Sequence, residues 1–272
     1  MNDREYAYLK HAIRKELGFD ADSYRSAQMR RRLSGFVERR AGGNVSLVCK
    51  RLHSDPDLRG ALLRLVTINV SEFFRDPAQF VLLQDIILPD LAARNQSVRI
   101  WSAGCSHGEE PFTIAILCER AQIGARVDIL ATDIDAESLA TARAGGPYTD
   151  QQLRKMPARL VPEYFNQSPR GYMLRESTRR RVRFLKHDLL SDPAPHQFDL
   201  IVCRNVTIYF TQEVKAQLIR RFFASLRPGG YLFIGGAESL LGAEAEGFSR
   251  IAGNFYRKDV QHARQAALSA RR

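Results

Sequence analysis

The 272-residue sequence lacks the residue spacings of a metal site or a disulfide framework. Its four cysteines include no Cys-x-x-Cys pair, and its six histidines do not fall at ligand spacing. It also lacks an apolar run approaching the ~18 residues of a membrane span, and its first residues form no apolar signal core. We therefore expect a reduced, cytoplasmic protein without a bound metal and without membrane insertion.

Acidic residues are the minority among the charged side chains. The chain has 30 Asp and Glu against 41 Lys and Arg, which gives a formal net charge of +11. Such a balance indicates an acidic partner: a nucleic acid, an anionic membrane surface or an acidic protein. Charge alone does not distinguish among these three.

The pattern of apolar residues divides the chain into a helical part and an α/β part. We predict a helical N-terminal domain over residues 1–75, a connecting helix over 76–97, an α/β domain over 98–258 and a basic tail over 259–272. Residues 147–183 carry four prolines and short β-like pieces, which indicates an inserted β-subdomain.

The stretch from Val98 to Leu117 is typical of a cofactor-binding turn. An alternating strand pattern enters a turn with Gly104 and Gly108 and passes directly into a helix, whose first N–H groups are unpaired. A second strand ends at Asp133, roughly 25 residues later, near the spacing at which a carboxylate accepts both ribose hydroxyls of an adenosine cofactor.

The charge at the start of this helix narrows the choice of cofactor. Glu109 and Glu110 would repel a pyrophosphate, whereas they suit S-adenosylmethionine, which carries an ammonium group and a cationic sulfur. Acids in a first helical turn also stabilise the helix dipole without binding anything. This segment alone supports the two interpretations equally.

A basic helix is predicted over Tyr24–Arg40, capped by Asp22 or Ser23 and ended by Gly42-Gly43. Its apolar residues fall on one face and its arginines on the other. This basic face is either a docking surface or a solvated surface, and solvation is the commoner outcome for a run of charge.

Five segments together resemble the CheR-type protein-glutamate O-methyltransferases, which modify chemotaxis receptors. They are TINVSEFFRD, WSAGCSHGEEP, LATDID, CRNVTIYF and LRPGGYLFIG. The resemblance implies an α/β fold: a class I, Rossmann-like methyltransferase sheet with a small all-α N-terminal domain and an inserted antiparallel β-subdomain. It also implies S-adenosylmethionine as cofactor, S-adenosylhomocysteine as product, and methylation of receptor glutamates.

The resemblance assigns roles to individual positions. The cofactor-binding residues it implies, with Gly104 of the turn added, are Asn69, Ser71, Arg75, Gly104, Glu110, Asp133, Asp188, Leu189, Arg204 and Asn205. Arg75 and Tyr209 are the residues implied to act at the reacting centre. The sequence departs from the family pattern at Ser71, where Thr is usual, at Asp188, where Asn is common, and at Thr207, where an apolar residue is usual. An Asp side chain cannot donate the hydrogen bond that an Asn amide can.

The implied partner is the cytoplasmic domain of a methyl-accepting chemotaxis receptor, and we expect a monomer that binds no nucleic acid. The predicted docking residues on the basic helix are Arg30, Arg31, Arg32, Arg39 and Arg40. The segment YFNQSPRGYMLRE is short and has one glycine, so we expect no capture of a receptor C-terminal peptide by a glycine loop.

Two other functions stay open. One is methylation of nucleic acid, although CRNVTIYF lacks the prolines of an Asn-Pro-Pro-Tyr-type base pocket. The other is a sensor or scaffold that binds the cofactor without turnover.

Overall fold

The structure is a computed structural model that describes residues 1–67, 69–238, 240 and 247–259. The chain divides into two compact units, of which the first comprises Met1–Asn69 and Tyr209–Lys215 and the second comprises Val70–Ile208 and the chain from Ala216 onward. Apart from Asp259, the predicted basic tail lies outside the described residues. None of the described helices has both the length and the apolar character needed to cross a bilayer.

Four helices build most of the first unit: α1 (Asp3–Leu17), α2 (Ser26–Ala41), α3 (Val45–Ser54) and α4 (Pro56–Thr67). Helix α1 begins with a capping box in which Asn2 and Glu5 satisfy each other's backbone N–H groups. Apolar side chains at helical spacing meet in the centre of the unit, where they have no solvent exposure: Leu9, Ile13, Leu33, Leu52 and Leu62.

Helix α2 begins two residues later than predicted. Arg25 occupies its N-cap position without a side-chain cap, and Gly42 ends the helix in the left-handed conformation. The predicted capping by Asp22 or Ser23 is wrong, because these residues lie in a short 3₁₀ turn, Ala21–Ser23, that Asp20 caps instead.

A distant segment completes the first unit. The Arg25 N–H donates to the Tyr209 carbonyl at 2.8 Å, and the Thr211 N–H donates to the Ser23 carbonyl at 3.0 Å. The rings of Tyr24 and Phe210 pack edge to face, 4.9 Å apart. Residues 209–215 therefore belong with the N-terminal helices, although they follow the sixth strand of the chain.

The second unit alternates helices and strands. Its helices are α5 (Pro77–Leu82), α6 (Leu88–Arg94), α7 (Glu109–Arg120), α8 (Ala136–Ala144), α9 (Asp150–Leu153), α10 (Val161–Tyr164) and α11 (Glu176–Arg179), and α12 (Gln212–Ser225) begins in the first unit and continues into the second. A π-helical turn, Leu83–Ile87, joins α5 to α6. The strands are β1 (Val98–Ala103), β2 (Val127–Asp133), β3 (Phe165–Ser168), β4 (Gly171–Leu174), β5 (Val182–Lys186), β6 (Phe198–Cys203), β7 (Leu226–Ile234), β8 (Phe248–Ala252) and β9 (Phe255–Lys258).

Seven of these strands form one sheet in the order β5-β2-β1-β6-β7-β9-β8. The first five run parallel, and β9 and β8 are antiparallel additions. Every residue of β6 is buried, as the largely apolar sequence FDLIVC predicts for a strand covered on both faces, and its one acid, Asp199, pairs with Arg227. The predicted α/β class with a Rossmann-like sheet is confirmed.

The strand order reverses beside β1, because β2 lies on one side of it and β6 on the other. In an open parallel sheet, ligands bind outside the carboxyl ends of the strands at such a reversal. The segments that follow β1, β2 and β6 therefore converge where a ligand would be expected.

The inserted subdomain is a small antiparallel hairpin of β3 and β4, joined by two residues. The backbone of Tyr148 pairs with Tyr172 of β4 through two hydrogen bonds of 2.8 Å. Gly171 permits this pairing, since its φ is +125° and an added Cβ would lie 2.3 Å from the Tyr148 carbonyl oxygen. The single glycine of this segment is thus used for internal backbone packing.

We expect Gly171→Ala to destabilise the second unit more than a substitution at another positive-φ glycine whose nearest neighbour is a flexible side chain. Gly229 is the matched control, because its φ is also positive and its nearest neighbour is the flexible Arg94 guanidinium. Displacing the Tyr148 backbone should add about 1–3 kcal/mol to the loss for Gly171→Ala. Urea unfolding of the two variants measures the difference, and equal losses would contradict the packing role of Gly171.

Candidate functional site

The glycine turn after β1 brings backbone N–H groups to the end of β2. Gly104, Ser106 and Gly108 all have positive φ values, of 86°, 50° and 93°. This conformation turns the Ser106 N–H toward the Asp133 carboxylate, to which it donates at 2.7 Å. Glycines at 104 and 108 allow the turn, since residues with a Cβ rarely adopt such angles.

Asp133 ends β2 and is 8% exposed. It also accepts a hydrogen bond from the Asp135 N–H at 2.9 Å. A carboxylate has about four lone-pair sites, so these two bonds leave capacity for hydroxyl donors. Burial is the main cause that raises the Asp133 pKa, opposed by the backbone hydrogen bonds. Asp135 itself caps α8 by accepting from the Glu137 and Ser138 N–H groups.

Glu110, in the first turn of α7, is held from two sides. Its Oε1 accepts from the Ser102 hydroxyl at 2.8 Å, and its Oε2 lies 3.6 Å from Nη1 of Arg204. Burial raises the pKa of Glu110, while the positive charges of Arg204 and Arg75 oppose the rise. The carboxylate therefore stands at the end of β1 as a partly compensated negative charge.

Glu109 lies in the same turn but is fully buried. It accepts from Nε2 of Gln152 at 2.6 Å. Burial raises the pKa of Glu109, and the hydrogen bonds from Gln152 and from the Ser71 hydroxyl oppose the rise. The predicted cofactor residue Ser71 is thus bonded to Glu109 and connects the start of α7 with the segment before α5.

Arg204 follows β6 and joins several segments of the second unit. Its side chain is 2% exposed, and its Nη2 donates to Asp76 at 2.6 Å and to the Arg75 carbonyl at 2.8 Å. The guanidinium also lies over the rings of Phe80 and Phe233, at 5.1 and 4.7 Å from the ring centres. Asp76 also contributes to the site; it ends the segment TINVSEFFRD, but its position in the sequence offers no reason to assign it a role.

Asn205 is the next residue and adopts a left-handed conformation with φ +60°. Its side-chain Oδ1 is buried and has no hydrogen-bond partner among the described atoms. Because unpartnered buried oxygens are costly, this atom marks a place where a ligand donor fits. The backbone around Asn205 is held by Glu238, which the sequence analysis also missed.

Asp188 and Leu189 follow β5, at the same edge of the sheet. The Asp188 carboxylate accepts from the Leu190 N–H at 2.8 Å, and its own N–H donates to Asp192 at 2.9 Å. Leu189 is 8% exposed. Asp188, which stands where the family commonly has Asn, therefore stabilises the turn in which it lies through these hydrogen bonds.

The remaining predicted site residues belong to different units. Arg75 is half-buried in the second unit and donates to the Val70 carbonyl at 3.0 Å. Asn69 and Tyr209 belong to the first unit, where the Tyr209 ring lies under the Arg32 guanidinium at 5.9 Å. Among the described residues, no three His, Cys, Asp or Glu side chains form a group that could hold a metal ion.

The five predicted docking arginines of α2 fall into two groups. Arg30 donates to Asp3 at 2.7 Å and to the Met1 carbonyl at 2.9 Å, and Arg32 donates to the Leu65 carbonyl at 2.9 Å. These two are half-buried within the first unit. Arg31, Arg39 and Arg40 are exposed, so the accessible basic face is smaller than the sequence pattern suggests.

The comparisons with known proteins agree with this geometry. The family model described as "CheR methyltransferase, SAM binding domain" matches residues 69–256. A chemotaxis protein methyltransferase of Listeria innocua is 37% identical over 257 residues, which cover 94% of this chain and 98% of the relative. Chemotaxis protein methyltransferase 1 of Pseudomonas aeruginosa is 32% identical over 247 residues, covering 87% of this chain and 90% of that one.

The raised pKa of Glu110 predicts a pH dependence that Glu110→Gln should remove. Between the carboxyl's ordinary pKa and its raised folded value, the folded state binds more protons than the unfolded state. The contribution of Glu110 to stability therefore falls as pH rises through this window. Urea unfolding of both proteins between about pH 4 and 7 should show the wild type losing stability relative to the variant.

The control is Glu176→Gln, which removes an exposed carboxyl that pairs with Arg179 and Arg180 on the surface; the stability difference between wild type and variant should change more with pH for Glu110→Gln than for this control. A wild-type curve parallel to that of Glu110→Gln would contradict the assigned burial effect.

Proposed function

The chain belongs to the CheR methyltransferase family, and we propose that it methylates glutamate side chains on the cytoplasmic helices of chemotaxis receptors. The methyl donor is S-adenosylmethionine, and the products are a glutamyl methyl ester and S-adenosylhomocysteine. The observation that carries the proposal is the family match across residues 69–256. The positions of Asp133, Glu110 and Asn205 at the carboxyl ends of adjacent strands support it.

The residues present fit the cofactor. Asp133 retains acceptor capacity for ribose hydroxyls, and Glu110 offers a negative charge to the ammonium of the methionyl group. The unpartnered Oδ1 of Asn205 accepts a donor. At Gly104, an added Cβ would lie 2.6 Å from the Val206 side chain, so this glycine serves the packing of the turn. Arg75 provides a guanidinium that matches a carboxylate.

Little acid–base chemistry is required of the protein. When bound, S-adenosylmethionine supplies a sulfonium methyl group that is open to attack by an oxygen nucleophile. A glutamate side chain is ionised near neutral pH, so it needs no strong general base. The residues of this chain act by holding the reacting groups close together and in line. We assign Tyr209 and Arg75 to orienting the substrate carboxylate rather than to binding it tightly, because a tight ion pair would weaken the nucleophile.

The basic side chains on α2 and just before it support docking of an acidic partner. Arg25 and Arg32 line the same small cleft as Tyr209 in the first unit, which places basic groups beside the tyrosine proposed to orient the substrate. Receptor helices that present glutamates at helical spacing would meet Arg31, Arg39 and Arg40 on the same helix. Such contacts act mainly on encounter rate and register.

We predict that Asp133→Ala weakens binding of S-adenosylhomocysteine by roughly 1.5–3 kcal/mol, the value of a lost hydrogen bond to a charged group. Calorimetry of the folded variant measures this loss. Transfer of tritiated methyl groups to receptor-containing membranes should fall in parallel at subsaturating cofactor.

The matched control is Asp128→Ala, because Asp128 lies near the other end of the same strand, where it is half-buried and pairs with Arg183. It should leave both readouts near wild type. Wild-type affinity in Asp133→Ala would overturn the ribose assignment. Failure of the wild type to label receptor glutamates, or labelling of nucleic acid instead, would contradict the proposed function.

We predict that replacing Arg31, Arg39 and Arg40 by Glu reduces methylation of intact receptor by at least about 10-fold, while S-adenosylhomocysteine affinity stays at the wild-type value. Repulsion from acidic receptor helices is the reason, and the loss should shrink as salt shortens the Debye length from ~10 Å at 0.1 M. Arg30 is left intact because its ion pair with Asp3 supports the first unit.

A variant with the same change in charge separates docking from net charge. Replacing Arg159, Arg180 and Arg183 by Glu alters exposed residues of the second unit instead. This control should retain most receptor methylation. Equal losses in both triple variants would mean that α2 is not a specific docking surface.

A further inference from the structure

The carboxylate of Glu238 gathers an unusual number of hydrogen bonds. Its Oε2 accepts from the N–H groups of Asn205 and Gly235, at 2.9 and 2.7 Å. Its Oε1 accepts from the N–H groups of Val206 and Thr207, at 3.1 and 2.7 Å, and from the Thr207 hydroxyl at 2.8 Å. All five donors belong to the second unit, and Glu238 is 8% exposed.

These donors come from the ends of two neighbouring strands. Residues 205–207 follow β6 and Gly235 follows β7, and the last residues of these parallel strands, Cys203 and Ile234, are paired. Gly235 leaves room for the carboxylate, since an added Cβ would lie 2.7 Å from its Oε2 and 2.9 Å from the Asn205 nitrogen. One side chain therefore ties two strand ends together at the edge where the cofactor residues converge.

The bonding pattern decides what Glu238 does. A carboxylate offers about four lone-pair sites, and five protein donors already use them. This leaves no acceptor capacity for a ligand, so Glu238 is not a binding residue itself. Bonds from backbone N–H groups to an ionised acceptor are stronger than neutral ones, and they fix the conformation of the segment 205–207.

We propose that Glu238 is a positioning residue that holds Asn205 in its binding conformation. The left-handed backbone of Asn205 and the unpartnered state of its buried Oδ1 are the features that Glu238 preserves. The inference rests on the proposed function, in which Asn205 contacts the cofactor. Thr207 contributes through its hydroxyl, which a family-typical apolar residue at this position would lack.

The mildest test changes Thr207, because it removes one donor and leaves the carboxylate in place. Thr207→Val should weaken S-adenosylhomocysteine binding by about 3-fold, as expected for one lost hydrogen bond, and Thr207→Ser should restore wild-type affinity. Calorimetry measures the affinities. Equal, wild-type affinities for both variants would overturn the positioning role.

A double-mutant cycle tests the connection to Asn205. Glu238→Gln places an amide donor against backbone N–H groups and should weaken binding about 10-fold. Asn205→Gly keeps the left-handed backbone and removes the side chain. The double variant should bind S-adenosylhomocysteine no more weakly than the single variant with the lower affinity. The reason is that the affinity losses from two residues that act as a unit do not add. Additive losses of affinity in this double variant would contradict the inference. As a control, Glu238→Gln combined with Asp133→Ala should show additive losses, because Glu238 does not hold Asp133.

Different results would reject the proposed function and the positioning role of Glu238. A wild-type protein that does not bind S-adenosylhomocysteine rejects the proposed function. A wild type that binds, together with Glu238→Gln that loses thermal stability but no affinity, rejects the positioning role alone. If Glu238→Gln does not fold, the Thr207→Val and Thr207→Ser pair decides the question.

Discussion

The arrangement of the second unit depends on one buried cation, the guanidinium of Arg204. Taking such a charge out of water costs several kcal/mol, and the surrounding structure offsets this cost with Asp76, Glu110 and the faces of two phenylalanines. The segment before α5, the start of α7 and the end of β6 are thereby drawn to one point. The positive charge of Arg204 opposes the rise in pKa that burial causes at Glu110.

The three acids of this region, Glu110, Asp133 and Glu238, differ in how far their negative charge is already compensated by the protein. Arg204 compensates Glu110 directly, Asp133 is compensated by backbone N–H groups, and Glu238 is enclosed by five donors. Glu110 thus has a charged partner, whereas Asp133 and Glu238 are held mainly by backbone N–H groups, two of them at Asp133 and four at Glu238. The degree to which each carboxylate is already satisfied distinguishes a group able to accept a ligand from one that shapes the backbone.

Much of the site could be predicted from the sequence where its residues follow local patterns. The glycine turn, Glu110 and Asp133 come directly after recognisable strand patterns, so their position at the carboxyl edge follows from the parallel sheet. Asp76 ends the recognised segment TINVSEFFRD, but its ion pair with Arg204 could not be predicted, because the approach of this loop to β6 depends on the order of strands in space. Glu238 lies in a loop outside every recognised segment. Nothing in their local spacing distinguishes them from solvated acids.

For the basic helix α2 as well, the sequence predicts which residues are buried but not which arginines form contacts. Its helical period correctly places Met29, Leu33, Phe36 and Val37 inside. The period cannot tell which arginines reach back to acids and carbonyls of neighbouring segments. Arg30 and Arg32 do so through contacts with residues near the N-terminus and at the end of α4, whose proximity is a tertiary property.

The return of residues 209–215 to the N-terminal helices has a consequence for how this protein can be divided. A cut after Asn69 would leave Phe210 without Tyr24 and would break the backbone bonds that join Tyr209 and Thr211 to the segment before α2. The N-terminal helices are therefore not a module that can be exchanged by joining sequences at one boundary. A chimaera between relatives would have to carry two separate stretches of sequence, and changes in one stretch are constrained by the other.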